Sequence, residues 1–204
     1  ASHGVALVSA LLATGRHRVI YRPHPLSGVI DGEYRAANQE IIGAIARANA
    51  ADPTAQHIFD DGPTLGWQLV AADVAVTDVS AMVYDRLATG KPLIVTRPVS
   101  SNAEVDESGY LGACEWLTAE ESADMVAVTE RVQFDSEARE RLRFWVERHF
   151  GDTSPGEATK RFHGAIERLM DHWLEQAAIH EGDPVTSEGD PFDDDDDDEG
   201  IAAD

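Results

Sequence analysis

The chain has 204 residues, 43% of them apolar, which is enough for one domain with a core of its own plus a tail. Its 38 acidic residues outnumber 16 Lys and Arg, giving a net charge of −22. That balance disfavours nucleic-acid binding through a basic face, because neutralising phosphates needs clustered cations. The single cysteine, Cys114, excludes an internal disulfide and every multi-cysteine zinc pattern, and it suits a reducing cytoplasm.

Residues 5–13 (VALVSALLA) predict a helix closed by Thr14 and Gly15. The first positive side chain, Arg16, comes after this run, so the basic segment of a secretory signal is missing. No initiator Met precedes it, and the chain is expected to begin inside a longer protein. No stretch reaches the apolar length needed to span a bilayer. Next come a β-rich run at residues 17–22, a helix over 34–50 with Ile41, Ile42 and Ile45 on one face, and a second strand candidate at 54–59. A short helix at 65–72, a buried strand at 74–76, a helix at 80–89 closed by Gly90 and a strand at 92–96 follow. Short strand–helix alternation with brief connections predicts an α/β domain, a parallel sheet with helices on both faces. From residue 119 the pattern becomes helical, at about 119–131, 135–149 and 155–179.

The domain is expected to occupy residues 1–180 and an acidic tail residues 181–204. The tail holds twelve acids and no Lys or Arg, including the run Asp193-Asp194-Asp195-Asp196-Asp197-Asp198. Like charges at that density repel, and little in the segment is apolar, so disorder is expected. A calcium loop is not supported, since the run lacks spaced ligands and the turn glycine.

In an open parallel sheet, ligands bind where strands end and helices begin. Two such places are chemically loaded. Arg22-Pro23-His24-Pro25 follows the first strand, with prolines fixing the backbone around the imidazole and a guanidinium suited to phosphate. Thr77-Asp78-Val79-Ser80 follows the strand at 74–76, where Ser80 is expected to cap a helix whose free N–H groups form an anion site. Each loop taken singly also reads as a rigid turn or a simple cap. Asp85 lies inside the following helix among Val83, Tyr84 and Leu87, so it is expected to be paired or to meet a hydroxyl-bearing ligand. Gly90-Lys91-Pro92 lacks the Ser or Thr of a phosphate-binding Walker loop. Asp60-Asp61 reads as a turn before Gly62-Pro63, and His163, His172 and His180 are not spaced as metal ligands. No metal or other cofactor is expected.

Taken together, Arg22-Pro23-His24-Pro25, the stretch from Ala72-Asp73 through Thr77-Asp78-Val79-Ser80-Ala81 to Tyr84-Asp85, and Gly90-Lys91-Pro92 resemble the CDP-glycerol glycerophosphotransferases of teichoic acid synthesis. Gly151-Asp152-Thr153 through Gly156-Glu157-Ala158-Thr159-Lys160-Arg161 is similar to a later Gly-rich turn and helix start of that family. The resemblance implies a Rossmann-like sheet forming the C-terminal, donor-binding lobe of a GT-B architecture, with most of the other lobe absent. It implies transfer of glycerol phosphate from CDP-glycerol, or a related CDP-alcohol, to a lipid-linked polymer acceptor with release of CMP. That activity would sit in the cytoplasm, at the inner face of the membrane. Substrate contacts would come from Arg22, His24, Thr77, Asp78, Ser80, Ala81 and Asp85, with His24 and Asp85 carrying the catalytic roles. Ala81 stands where the family has a second Ser, which removes one hydroxyl from the phosphates. Two other readings stay open: a glycosyltransferase using a nucleotide-sugar, and a non-catalytic nucleotide-binding module.

Overall fold

Short apolar segments alternate with amphipathic helices along the first 155 residues, and each strand hands its side chains to opposite faces. The computed structural model describes residues 3–100 and 102–180 and divides into two units, 1–155 and 156–204. The expected acidic tail therefore lies outside the described residues.

In the first unit, α1 (Gly4–Ala13) leads to β1 (Ile20–Tyr21), α2 (Gly32–Ala51), β2 (Ile58–Phe59) and α3 (Trp67–Ala71). Then come β3 (Ala75–Thr77), α4 (Met82–Leu87), β4 (Leu93–Thr96), β5 (Glu115–Leu117), α5 (Met125–Phe134) and α6 (Ser136–Phe150). Every observed strand pairing is parallel, β1 with β2 and β3 with β4 with β5, as the alternation predicts. The strands are shorter than expected, at two to four residues.

Both faces of the three-stranded sheet are covered. Leu93 and Val95 of β4 face α4 and α6 through Val83, Leu87, Leu142 and Val146. Ile94 faces the other way, with Leu117, Met125, Val128 and Val132. These β4 residues are fully enclosed, and each contributes roughly 1.5–3 kcal/mol by leaving water. Helix α1 bridges the two sheets: Leu7 and Leu11 pack against the Ile94 cluster and against the Val8, Val19, Ile41 and Ile45 cluster.

The local causes are visible. Asp31 caps α2 by accepting hydrogen bonds from the N–H groups of Glu33 and Tyr34, and Ile41 and Ile45, one turn apart, form its buried face. Asp135 does the same for α6, which buries Ala138, Leu142 and Val146 at four-residue spacing and ends at Gly151 with φ 62°. The helix expected over 119–131 instead opens as a 3₁₀ turn, Glu120–Asp124, before α5. Thr118 and Glu121 exchange side-chain-to-backbone hydrogen bonds there, a capping box that starts the turn.

Two buried polar staples hold the layers in register. His57 Nδ1 accepts the Val19 N–H, while the amide of Asn49 brackets the His57 backbone at 2.8 Å on both sides. Arg86, wholly buried, donates to the carbonyls of Leu69, Ala72, Asp73 and Pro92. It thus ties α3, the approach to β3 and the start of β4 to α4.

The second unit presents α7 (Glu157–His180), a helix of 24 residues. Among the described residues no helix is long and apolar enough to cross a membrane.

Candidate functional site

Among the described residues β1 pairs with β2 in one two-stranded sheet, and β3, β4 and β5 form a second, three-stranded one. The ends of β1 and β3 are close enough that Asp78, just past β3, acts on Tyr21 at the end of β1. Burial raises the Tyr21 phenol above its ordinary range, and the charges of Tyr34 and Asp78 add to that. Tyr34 is likewise raised by burial first and Asp78 second. Tyr21 donates to Asn38 Oδ1 at 2.9 Å, and Tyr34 and Asn38 share one face of α2.

On the β1 side, the loop carrying His24 is rigid. The Ser27 N–H donates to the His24 carbonyl, and Arg35 of α2 donates to the carbonyls of Gly28 and Val29. Gly28 has φ 78°, and a β-carbon there would lie 2.8 Å from the Arg35 α-carbon, so glycine is required. The exposed His24 ring accepts the Leu26 N–H through Nδ1 at 3.1 Å. That bond assigns the neutral ring's proton to Nε2, leaving an N–H donor for a ligand.

Arg22 is placed differently from the expectation. Its guanidinium pairs with Asp60 at 2.7 Å and donates to the carbonyls of Gly62 and Thr64, so much of its bonding capacity is spent on the loop after β2. Asp60 also accepts from the Gln68 amide and from the Gly62 N–H. The Gln68 bond, then Arg22, hold its carboxyl below the usual range. Asp60 is thus the turn residue expected before Gly62, with an added role in fixing Arg22.

On the β3 side, Asp78 accepts from the Thr96 hydroxyl at the end of β4, and the Thr77 hydroxyl is buried without a hydrogen-bond partner. Ser80 is exposed and does not cap α4: the residue before the helix is Ala81, in helical conformation, with no side-chain cap bond. One residue, Ala81, separates Ser80 from the helix start at Met82. The helix is only six residues long, so the expected anion site at its N-terminus is not built.

Asp85 is corrected too. It is exposed rather than enclosed, because it lies on the solvent side of α4 while its neighbour Arg86 takes the buried position. It borders an open cavity of about 400 Å³ with Leu65, Leu69, Val70, Tyr84 and Phe150, and neither His24 nor the 77–80 loop lines that cavity. Beside it, the Tyr84 ring lies 4.2 Å from that of Tyr110, tilted by 49°, and burial and the Tyr84 bond push the Tyr110 phenol up to about 12.

His24 thus follows β1; Thr77, Asp78 and Ser80 end or follow β3; and Tyr21, Tyr34, Asn38 and Thr96 are linked to Asp78 through its charge and through hydrogen bonds. Sequence reasoning missed the latter four. The i, i+4, i+7, i+11 spacing that puts Tyr34 and Asn38 on the same face of α2 as Ile41 and Ile45 was a usable signal. Together these polar groups comprise an imidazole, several hydroxyls and one carboxylate, a set suited to a polar, hydroxyl-rich ligand. Among the described residues no group of three or more His, Cys, Asp or Glu side chains is placed to hold a metal ion. No family model, curated protein or solved structure matches the chain.

Proposed function

We propose that the crevice between β1 and β3 binds a nucleotide-activated alcohol of the CDP-glycerol type, and that the chain serves its transfer as glycerol phosphate to a hydroxyl-bearing acceptor of the cell envelope. The observation that carries the reading is that the Asp78 charge reaches Tyr21 at the end of β1, the strand that leads into the His24 loop, and that each loop bears residues that resemble the family.

In this reading His24 donates from Nε2 to the donor's pyrophosphate, and Arg22 acts one step back by holding the 60–64 loop. Asp78, oriented by the Thr96 hydroxyl, accepts from a ligand hydroxyl. Asp85 lines a separate cavity, so in this reading it takes no part at the pyrophosphate. The acceptor oxygen attacks the phosphorus that bears glycerol, the bond to CMP breaks, and the acceptor proton passes to a base. Phosphoryl transfer of this kind is governed by positioning and charge stabilisation. CMP, with a second pKa near ~6, leaves without obligatory protonation. The exposed apolar residues Leu26, Val79 and Val99 follow β1, β3 and β4 in the chain, which fits a second lobe closing over those strand ends.

A non-catalytic nucleotide-binding module is the second reading. It is favoured by the commitment of Arg22 to Asp60 and by Ala81 in place of a hydroxyl. Thermal shift with CDP-glycerol, CDP-ribitol and UDP-sugars, followed by single-turnover assay for CMP, separates the possibilities. Stabilisation by CDP-alcohols with CMP release supports transfer, stabilisation without release supports the module, and a response to UDP-sugars alone defeats the glycerophosphate reading.

A further inference from the structure

Two cations near the carboxyl ends of the strands are already committed. Arg22 donates to Asp60, Gly62 and Thr64, and Arg35 serves the carbonyls of Gly28 and Val29. Arg97 is different. It directly follows β4, the middle strand of its sheet, and among the described residues only one of its five N–H donors is taken, by Glu107 at 2.8 Å. Both side chains of that pair are open to solvent, at 41% and 44% exposure. The backbone of Arg97 is held: its N–H donates to the Leu117 carbonyl at 2.8 Å, and Pro98 restricts it to extended conformations. Alternation along β4 puts Arg97 on the face of Val95, and its guanidinium lies 4.5 Å from the ring centroid of Trp116, the residue opposite Val95 on β5. α4 covers that same face, with Val83 and Val95 in one cluster. Two contacts tie this corner to the 77–80 loop. The hydroxyl of Thr96, one residue before Arg97, donates to Asp78. The ring of Tyr110, three residues after Glu107, lies 4.2 Å from that of Tyr84 in the first turn of α4.

We propose that Arg97 binds a phosphate group beside the 77–80 loop, with Glu107 as the counter-ion it gives up. The inference rests on the proposed function for the identity of that ligand, the pyrophosphate of a nucleotide-activated donor. Trp116 supports the guanidinium plane, which leaves unspent N–H groups in the fork geometry that matches two phosphate oxygens. An exposed ion pair is weak, and a phosphate, with more charge and more acceptor oxygens than one carboxylate, displaces Glu107 from it. Arg97 thereby supplies the charge that Arg22, paired with Asp60, does not.

Isothermal titration of inorganic pyrophosphate, then of CDP-glycerol, is run on the full chain and on its Arg97→Gln, Arg97→Lys and Glu107→Gln variants. Pyrophosphate is expected to bind the wild type and to lose at least tenfold in affinity in Arg97→Gln. Arg97→Lys, which restores the charge without the fork, is expected to recover part of that loss. Glu107→Gln removes the competing carboxylate and is expected to tighten binding several-fold, a gain that misfolding cannot imitate. No pyrophosphate binding to the wild type, unchanged affinity in Arg97→Gln, or a loss in Glu107→Gln as large as that in Arg97→Gln would each overturn the proposal. The CDP-glycerol arm separates this inference from the proposed function. If pyrophosphate binds through Arg97 and CDP-glycerol does not bind, the function fails and the phosphate site stands. If CDP-glycerol binds and Arg97→Gln leaves its affinity unchanged, the function stands and the inference fails.

Discussion

Replacing Arg86 with Met should be among the most damaging single changes in the fold, and the structure gives a magnitude. The side chain is wholly buried and serves the carbonyls of Leu69, Ala72, Asp73 and Pro92. Methionine keeps the stem but removes every donor, and an unpaired buried acceptor costs roughly 1–3 kcal/mol. The gross loss over four carbonyls could approach 8 kcal/mol at the middle of that range, about 2 kcal/mol for each. Two effects reduce it. Burial of the guanidinium, only partly countered by Asp73, lowers its pKa to about 10, so the charge is itself destabilised and Met relieves that cost. Water admitted by the shorter side chain also re-pairs some carbonyls. A net loss of about 3 kcal/mol remains, which lowers the melting temperature of a body this size by roughly 6–12 °C. Urea unfolding followed by circular dichroism should show a lower midpoint at unchanged slope. A loss under ~1 kcal/mol would refute the claim that this side chain staples α3, β3 and β4.

Further outcomes follow from single contacts. Burial lowers the pKa of His57, whose Nδ1 must stay unprotonated to accept the Val19 N–H, so its contribution is present above the ordinary value of 6.5 and is lost as pH falls through the lower folded value. Urea midpoints compared at neutral and mildly acidic pH should fall on acidification, and His57→Gln should flatten that dependence. Gly28→Ala forces a β-carbon against Arg35 at positive φ and should cost roughly 1–3 kcal/mol while loosening the His24 loop. It should weaken nucleotide binding more than it lowers melting temperature, which calorimetry and thermal shift read separately. Arg22→Ala frees the 60–64 loop and leaves Asp60 without its cation. Its effect on nucleotide affinity should vary little with salt, whereas a direct phosphate contact would show a steep salt dependence. Under the proposed function, Ala81→Ser adds the hydroxyl that the resembled family carries there and should tighten CDP-glycerol binding by several-fold, about 1 kcal/mol for one hydrogen bond.

Much of the architecture was legible because it rests on local signals. Asp31 and Asp135 are strong caps, Ile41 and Ile45 mark a buried helical face, and Leu93 to Thr96 form a buried run, so α2, α6 and β4 fall within a few residues of their expected limits. β5 was not legible: Glu115, Trp116 and Leu117 are three residues without alternation, and only pairing with β4 makes them a strand. The site was half legible. His24 and Asp78 sit at strand ends as their positions imply, but the sequence cannot show that Asp60 takes Arg22, which is 38 residues away. Nor can it show which of Asp85 and Arg86 turns inward. Four long-range carbonyl bonds settle that in favour of the cation, against the ordinary preference of arginine for the surface.

The central claim is that His24 and the 77–80 loop share one nucleotide crevice. Isothermal titration of CDP-glycerol into the wild-type chain and into His24→Ala and Asp78→Asn tests it most directly. The account predicts measurable binding to the wild type and at least a tenfold loss in each variant, about 1.4 kcal/mol, with melting temperatures little changed. No binding to the wild type, or binding that both variants retain in full, would contradict it.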